Sequence, residues 1–305
     1  MPLTKIAFAP GIDKQDTEYG AAGRWTDSDF VRFRYGLPEK IGGWIKLIPN
    51  TIVGVARDMH AWTDLNGVRY TAIGTDRKLY IYTEGVAYDI TPTRATGSIT
   101  GFTTTNNSPT VTVTDPSHGA EVGDFVTISS TSGAVNGIPA ATMDAEYQIL
   151  TVPTANTYTI TAAANATSTG ASASTATATY QISVGTAVSQ YGYGWGTYEW
   201  GKEAWGTPRS TSNVTIEGRN WSFDNFGEDL LATVNNGATF RWDTSVGVGT
   251  PAAVVTDAPG VSRFNLVSMP DRHVFLFGTE TTIGNSTTQD DLFLRFSSQE
   301  DFNTW

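Results

Sequence analysis

The run of short strand-like segments between Val53 and Pro92 constrains this chain more than any other feature. VGVARDMHAWTD, NGVRYTAIGT, KLYIYTEG and VAYDITP each alternate apolar with polar residues, separated by Leu65-Asn66-Gly67, Thr75-Asp76-Arg77 and Glu84-Gly85. Period-2 alternation is the mark of a half-buried strand, and Asn-Gly between two such runs is the strongest short signal for a hairpin. The same order returns in NWSFDNFGEDLLATVNNGATFRWDTS, where LLATV, NNGA and TFRWD take the places of YTAIGT, DRK and LYIYT. It returns again in FNLVSMPDRHVFLFGT followed, after a polar stretch from Glu280 to Gln289, by DDLFLRFSSQED. Recurring four-strand units predict an all-β chain of β-propeller blades, because one such sheet buries its faces only against its neighbours. A β-sandwich built of the same hairpins is the alternative. A propeller ring closes with roughly four to eight blades, whereas three units and a strand-rich start, DFVRFRYGLPEKIGGWIKL, are visible. Further blades are therefore expected in the less patterned stretches or in a longer polypeptide, and an ending on DFNTW favours the latter.

Charge placement divides the chain. No lysine or arginine lies between Arg94 and Lys202; residues 1–98 carry 12 basic and 11 acidic side chains, 99–183 none and five, and 184–305 seven and 14. Within the middle stretch, ITGFTTTNNSPTVTVTD and YQILTVPTANTYTITAAA alternate apolar with small polar residues, and Gly123-Asp124 reads as a turn before a strand. The expected organisation is an N-terminal arm and first propeller part over 1–98, an inserted small β-sandwich or barrel-like module over 99–183, and a return segment with further blades over 184–305.

Only 16% of the 305 residues are charged, and the net charge is −11. Solubility then rests on Thr, Ser, Asn and Gly, a composition typical of extracellular or virion β proteins. No apolar run reaches the roughly 18 residues of a membrane span. MPLTKIAFAPG lacks the form of a secretory signal, and the absence of cysteine excludes disulfides and thiolate chemistry. Assembly in a host cytoplasm followed by release satisfies all of these observations.

Chemistry finds little footing. His60, His118 and His273 are far apart in sequence and have no ligand spacing for zinc; His273 is expected to be a solvated turn residue. There is no phosphate loop or G-x-S-x-G elbow. Asp27 with Asp29, Glu228 with Asp229, and Asp290 with Asp291 are the acidic pairs a glycosidase would need, and they read first as turn and surface residues. No cofactor or metal is expected, and the chain is not expected to be an enzyme. Duplex DNA is gripped through Lys and Arg, of which only Arg32, Arg34, Lys40 and Lys46 form a mild cluster. Arg32 and Arg34, at alternate strand positions, share one face and are expected in salt bridges or subunit contacts.

Residues 191–206, YGYGWGTYEWGKEAWG, hold six aromatic rings and five glycines. Rings beside glycine can stack on sugars or bases. This run, however, falls between the end of the lysine-free module and the resumption of blade pattern at Asn220. Tyr193, Trp195, Tyr198, Trp200 and Trp205 are accordingly expected to pack the return crossing or a neighbouring subunit.

The opening APGIDKQDTEYGAAGRWTDSDFVRFRYGLPEKIGGW, with FGEDLLATVNNGATFRWD, MPDRHVFLFGT and LRFSSQEDFNTW, resembles a family of tailed-phage virion proteins over residues 8–98 and 184–305. The likeness is to the tail nozzle, or packaged-DNA stabilisation, proteins of short-tailed phages; Phe296 stands where that family's blade ending has Trp. SHGAEVGDFVTISS, VNG and YQILTVPTANTYTIT resemble a small β module inserted in many phage structural proteins and found also in ubiquitin-activating enzymes. The resemblance implies a homo-oligomeric ring, a hexamer by expectation, at the distal tail of the virion. Its partners would be tail adaptor or portal proteins and tail fibres, with phage DNA passing through unbound and the host surface below. The alternative is a carbohydrate-binding or depolymerising tail protein acting on host glycans; a tail-hub protein of a long-tailed phage is a third reading.

Overall fold

The computed structural model describes residues 8–43, 45–185 and 217–305. It is all-β, and it divides into two compact units, Met1–Pro49 and Asn50–Trp305.

The first unit contains one hairpin, β1 (Val31–Arg34) and β2 (Leu37–Lys40), joined through Tyr35 and Gly36 at positive φ. Among its described residues Ala21 is the only buried apolar side chain, while Phe30, Tyr35, Leu37, Ile45 and Leu47 are exposed. A lone two-stranded hairpin has no second layer to cover it.

The second unit begins with a four-stranded antiparallel meander of β3 (Ala56–Thr63), β4 (Arg69–Thr75), β5 (Leu79–Thr83) and β6 (Val86–Asp89). Asn66-Gly67 turns β3 into β4 with Gly67 at φ 83°, and Glu84-Gly85 turns β5 into β6 with both residues at positive φ. That second turn is a two-residue loop whose twist matches that of the strands it joins.

An inserted sandwich follows. Its strands are β7 (Thr93–Ile99), β8 (Gly101–Thr104), β9 (Thr110–Thr114), β10 (Phe125–Ser129), β11 (Glu146–Gln148), β12 (Thr151–Thr154), β13 (Thr157–Thr161), β14 (Gly170–Ser172) and β15 (Ala176–Gln181). One sheet runs β11-β10-β15-β7 and the other β12-β13-β9-β8-β14. Inward residues of both sheets, among them Phe102, Val113, Ile128, Tyr158, Ile160 and Tyr180, share a single core. That core also holds polar groups in fixed geometry. Tyr180 Oη donates to Asp115 at 2.6 Å, and the His118 ring packs edge-on against Tyr158. Burial pushes both tyrosines well above the usual phenol range.

Two further sheets complete the unit. One runs β16 (Trp221–Phe226), β17 (Asp229–Val234), β18 (Thr239–Trp242) and β19 (Ala253–Val254); the other runs β20 (Phe264–Val267), β21 (Val274–Phe277) and β22 (Leu294–Phe296). The first meander packs its Ala72, Leu79 and Ile81 face against Trp221, Leu230, Ala232 and Trp242 of the second. The second sheet's other face, through Leu231, meets Val267, Val274 and Leu276 of the third. Three sheets are thus stacked face on face, and none of them closes on itself. Gly74 permits a close approach of the first two sheets: a Cβ there would lie 2.4 Å from the Trp221 ring, whose Nε1 donates to Thr75 O at 2.7 Å.

Candidate interaction surface

Alternation along the third sheet sends two sets of side chains to opposite sides. Asn265, Val267, Val274 and Leu276 are buried against the second sheet, and Phe264, Leu266, Phe275, Phe277, Leu294 and Phe296 point the other way. On that outer side Phe264 is 47% and Phe296 59% exposed. The rings are already ordered among themselves, Phe264 stacking on Phe277 at 4.4 Å and Phe275 lying 5.9 Å from Phe296. Met269 and Leu292, in the loops that join these strands, are also exposed. Exposed apolar side chains grouped on one sheet face form a candidate interaction surface.

The other sheet faces differ. The second sheet is covered on both sides. The far side of the first is covered in part by the chain's own residues 50–55, with Met59 of β3 left exposed: Val53 N–H donates to Tyr80 Oη (3.0 Å), Thr75 Oγ1 to Val53 O (2.9 Å), and Val55 N–H to Asp76 (2.7 Å). The third sheet also has three strands where the first two have four, which leaves β22 without a partner on one edge. A concavity of about 530 Å³ adjoins the open face, lined in part by His273, Phe293, Phe296, Gln299 and Trp305.

Polar side chains lock the first strands of successive sheets. The His60 ring meets the Asn225 carbonyl between β3 and β16, and Trp62 Nε1 donates to Glu228 O at 2.9 Å. Ser222 Oγ donates to Asn265 Oδ1 at 2.8 Å, and Asp224 accepts from Val267 N–H at 2.6 Å, between β16 and β20.

Several residues singled out in the sequence lie among the described ones. Arg32 and Arg34 lie on one exposed face of β1; Arg32 pairs with Glu39 at 3.2 Å, and the Arg34 guanidinium sits over the Tyr35 ring. Asp27 pairs with Lys14 at 2.8 Å, a contact that holds its carboxyl below the usual range. Glu228 accepts from Leu65 N–H, and Asp229 takes Arg241 at 2.6 Å. Asp290 accepts from Leu292 N–H, and Asp291 holds Arg263 at 2.6 Å. Asp27, Glu228, Asp229, Asp290 and Asp291 are each committed to a contact within the chain. His273 is half-buried rather than solvated, because its ring bonds the Ser297 carbonyl at 2.8 Å. Tyr193, Trp195, Tyr198, Trp200 and Trp205 lie outside the described residues. Among the described residues no group of three or more His, Cys, Asp or Glu is placed to hold a metal ion, and no helix is long and apolar enough to cross a membrane.

Two cations escaped the sequence reading. Lys78 is buried between the first meander and the sandwich, 2.6 Å from Asp89, 2.5 Å from Glu146, and over the Phe125 ring. Burial of the ammonium pulls its pKa down, but the hydrogen bonds to the two carboxylates outweigh that and hold it above the lysine norm. Arg219, 6% exposed, lies over Trp221. Neither carries a local motif, since the partners that define them are distant in sequence.

No family model matches the chain. No curated protein matches it either. Among solved structures it is similar to a phage phi92 endosialidase, with a TM-score of 0.24 and 15% identity. The match takes in 86% of this chain and 40% of that one, so the chain spans well under half the length of that protein.

Proposed function

We propose that this chain is a structural protein of a phage tail, a β-propeller interrupted by a β-sandwich, which joins a nozzle-like ring that retains DNA and then conducts it. The reading rests on the resemblance of residues 8–98 and 184–305 to tail nozzle proteins. The observation that best supports it is the stack itself. Successive antiparallel meanders pack face on face, their first strands run side by side, and the stack ends in an uncovered apolar face. Propeller blades are built in this way, and a further sheet from the same or another chain would cover that face. The function would be mechanical and non-enzymatic, with Glu228, Asp229, Asp290 and Asp291 tied into the scaffold. A net charge of −11 suits a conduit that does not hold DNA, since duplex affinity comes from neutralised phosphates. The ring would be hexameric, carried in the virion tail after assembly in the host cytoplasm, with adaptor or portal proteins above and fibres or host surface below.

Electron microscopy of the assembled particle tests the proposal. A closed axial ring containing this chain is the expected result; peripheral spikes, or tight and salt-sensitive duplex binding by the isolated protein, would overturn it. One observation favours the second reading, a glycan-acting tail protein. The concavity beside Phe296 and Trp305 combines aromatic walls with Arg295, Ser298 and Gln299. Binding on a glycan array that is lost on Trp305→Ala would favour that reading.

A further inference from the structure

The chain contains three Asn-Gly pairs, Asn66-Gly67, Asn136-Gly137 and Asn236-Gly237, and all of them lie among the described residues. An asparagine followed by glycine is the pair most open to spontaneous deamidation, because glycine has no side chain to hinder attack by its own backbone nitrogen on the preceding amide. The fold treats the three pairs differently.

Asn136 is half-buried, and its Nδ2 donates to Thr104 Oγ1 and to Gly170 O at 2.8 Å each. Thr167 crowds the next residue, since a Cβ on Gly137 would lie 2.1 Å from Thr167 Oγ1. At the second pair, Asn236 Oδ1 accepts from Gln289 Nε2 at 3.0 Å, while Gly237 N–H donates to Val234 O at 2.8 Å. Both amides are held. Asn66, by contrast, is exposed, and its side-chain amide bonds to none of the described residues. Around Gly67 nothing lies within 4 Å of where a Cβ would stand, and its N–H makes a longer bond, 3.1 Å, to Asp64 O.

We infer that Asn66 is a modification site, the residue at which the folded chain deamidates first. The backbone nitrogen of Gly67 attacks Asn66 Cγ, the bond from Cγ to Nδ2 breaks, and ammonia leaves with the proton that the Gly67 nitrogen gives up. The product is a cyclic imide. Water then opens it at either carbonyl, to aspartate or to isoaspartate, and releases a proton; nothing is oxidised or reduced.

The turn that carries Asn66 also carries part of the joint between the first two sheets. Leu65 N–H donates to the Glu228 carboxylate, and Asp64 accepts from Val68 N–H at 2.8 Å. Deamidation sets a new negative charge beside these two carboxylates, and the isoaspartyl form also routes the backbone through Cβ and lengthens the turn. The bond from Leu65 to Glu228 is therefore the contact that the modification weakens.

The test is to age the whole protein in mildly alkaline buffer, with and without urea, and to follow each Asn-Gly peptide by mass spectrometry against synthetic aspartyl and isoaspartyl standards. In the folded protein Asn66 should convert severalfold faster than Asn136 and Asn236, and in urea the three rates should converge. Gly67→Ala should slow conversion at Asn66 severalfold in urea as well as in buffer, so the result does not depend on how well that variant folds. In the aged protein the Leu65 amide should exchange hydrogen faster, with the sandwich amides unchanged. Conversion of Asn136 or Asn236 as fast as Asn66 in the folded protein, an unaltered Asn66 after ageing, or the same order of rates in urea would each overturn the assignment.

Discussion

The sandwich and the stack solve the same problem in opposite ways. In the sandwich two sheets face each other, and a single core, with Tyr158 and Tyr180 fully enclosed, satisfies both. In the stack each sheet needs a neighbour on both sides, so the core is split into two clusters, one on each side of the second sheet. The sandwich is complete in itself, whereas the stability of the stack is a chain of nearest-neighbour terms, as in repeat proteins. The difference places the open face of the third sheet at the end of the stack and not on the module.

Three variants test that contrast. Trp242 lies between the first and second sheets, 5.5 Å from Tyr70 and 6.3 Å from Trp62. Trp242→Ala should cost about 3–5 kcal/mol and separate the melt into an early loss of the stack and a later loss of the sandwich. Calorimetry showing one undivided transition would mean that the two regions unfold as one.

Lys78→Met comes next, because Lys78 joins the regions. Removing it leaves Asp89 and Glu146 facing each other, both about a third exposed. Solvent screening limits the expected cost to about 1–3 kcal/mol at neutral pH. The folded pKa of Lys78 lies above the ordinary 10.5. Its contribution is therefore complete below that value and is lost as pH rises past the folded one. In urea unfolding the gap between parent and variant should be full at pH 7 and narrow above about pH 10.5; a gap that widens with alkali would sink the account.

The smallest effect on stability belongs to the open face. Phe264→Ser with Phe296→Ser should change stability by less than about 1 kcal/mol, each ring being half-exposed already. It should lower the binding of an apolar dye severalfold, whereas exposed substitutions on the sandwich, such as Thr103→Ser, leave dye binding unchanged.

Local turn chemistry made the first two sheets legible. Asn66-Gly67, Glu84-Gly85 and Asn235-Asn236-Gly237 fall at observed turns, and the alternation between them sets the register. The stretch without lysine or arginine overlaps the sandwich strands, which begin at Thr93 with Arg94 inside β7 and end at Gln181. The joints were not legible. The partners of Lys78 lie 11 and 68 residues away, and the buried carboxylates that oppose the Arg219 charge, Asp124 and Asp76, belong to distant segments. His273 was misread for the same reason: its partner, Ser297, is on the far side of a long loop. Among the described residues, the tryptophans that pack between the first two sheets are Trp62, Trp221 and Trp242.

The sandwich begins with β7 and ends with β15, and these two strands are paired neighbours, Thr93 opposite Gln181, with Ile182 N–H donating to Pro92 O at 3.0 Å. Both ends of the insertion therefore leave the host at one point, like a graft on a single stem. A graft of that form can be shortened, exchanged or enlarged through a lineage of related chains while the scaffold that carries it keeps its own pairing.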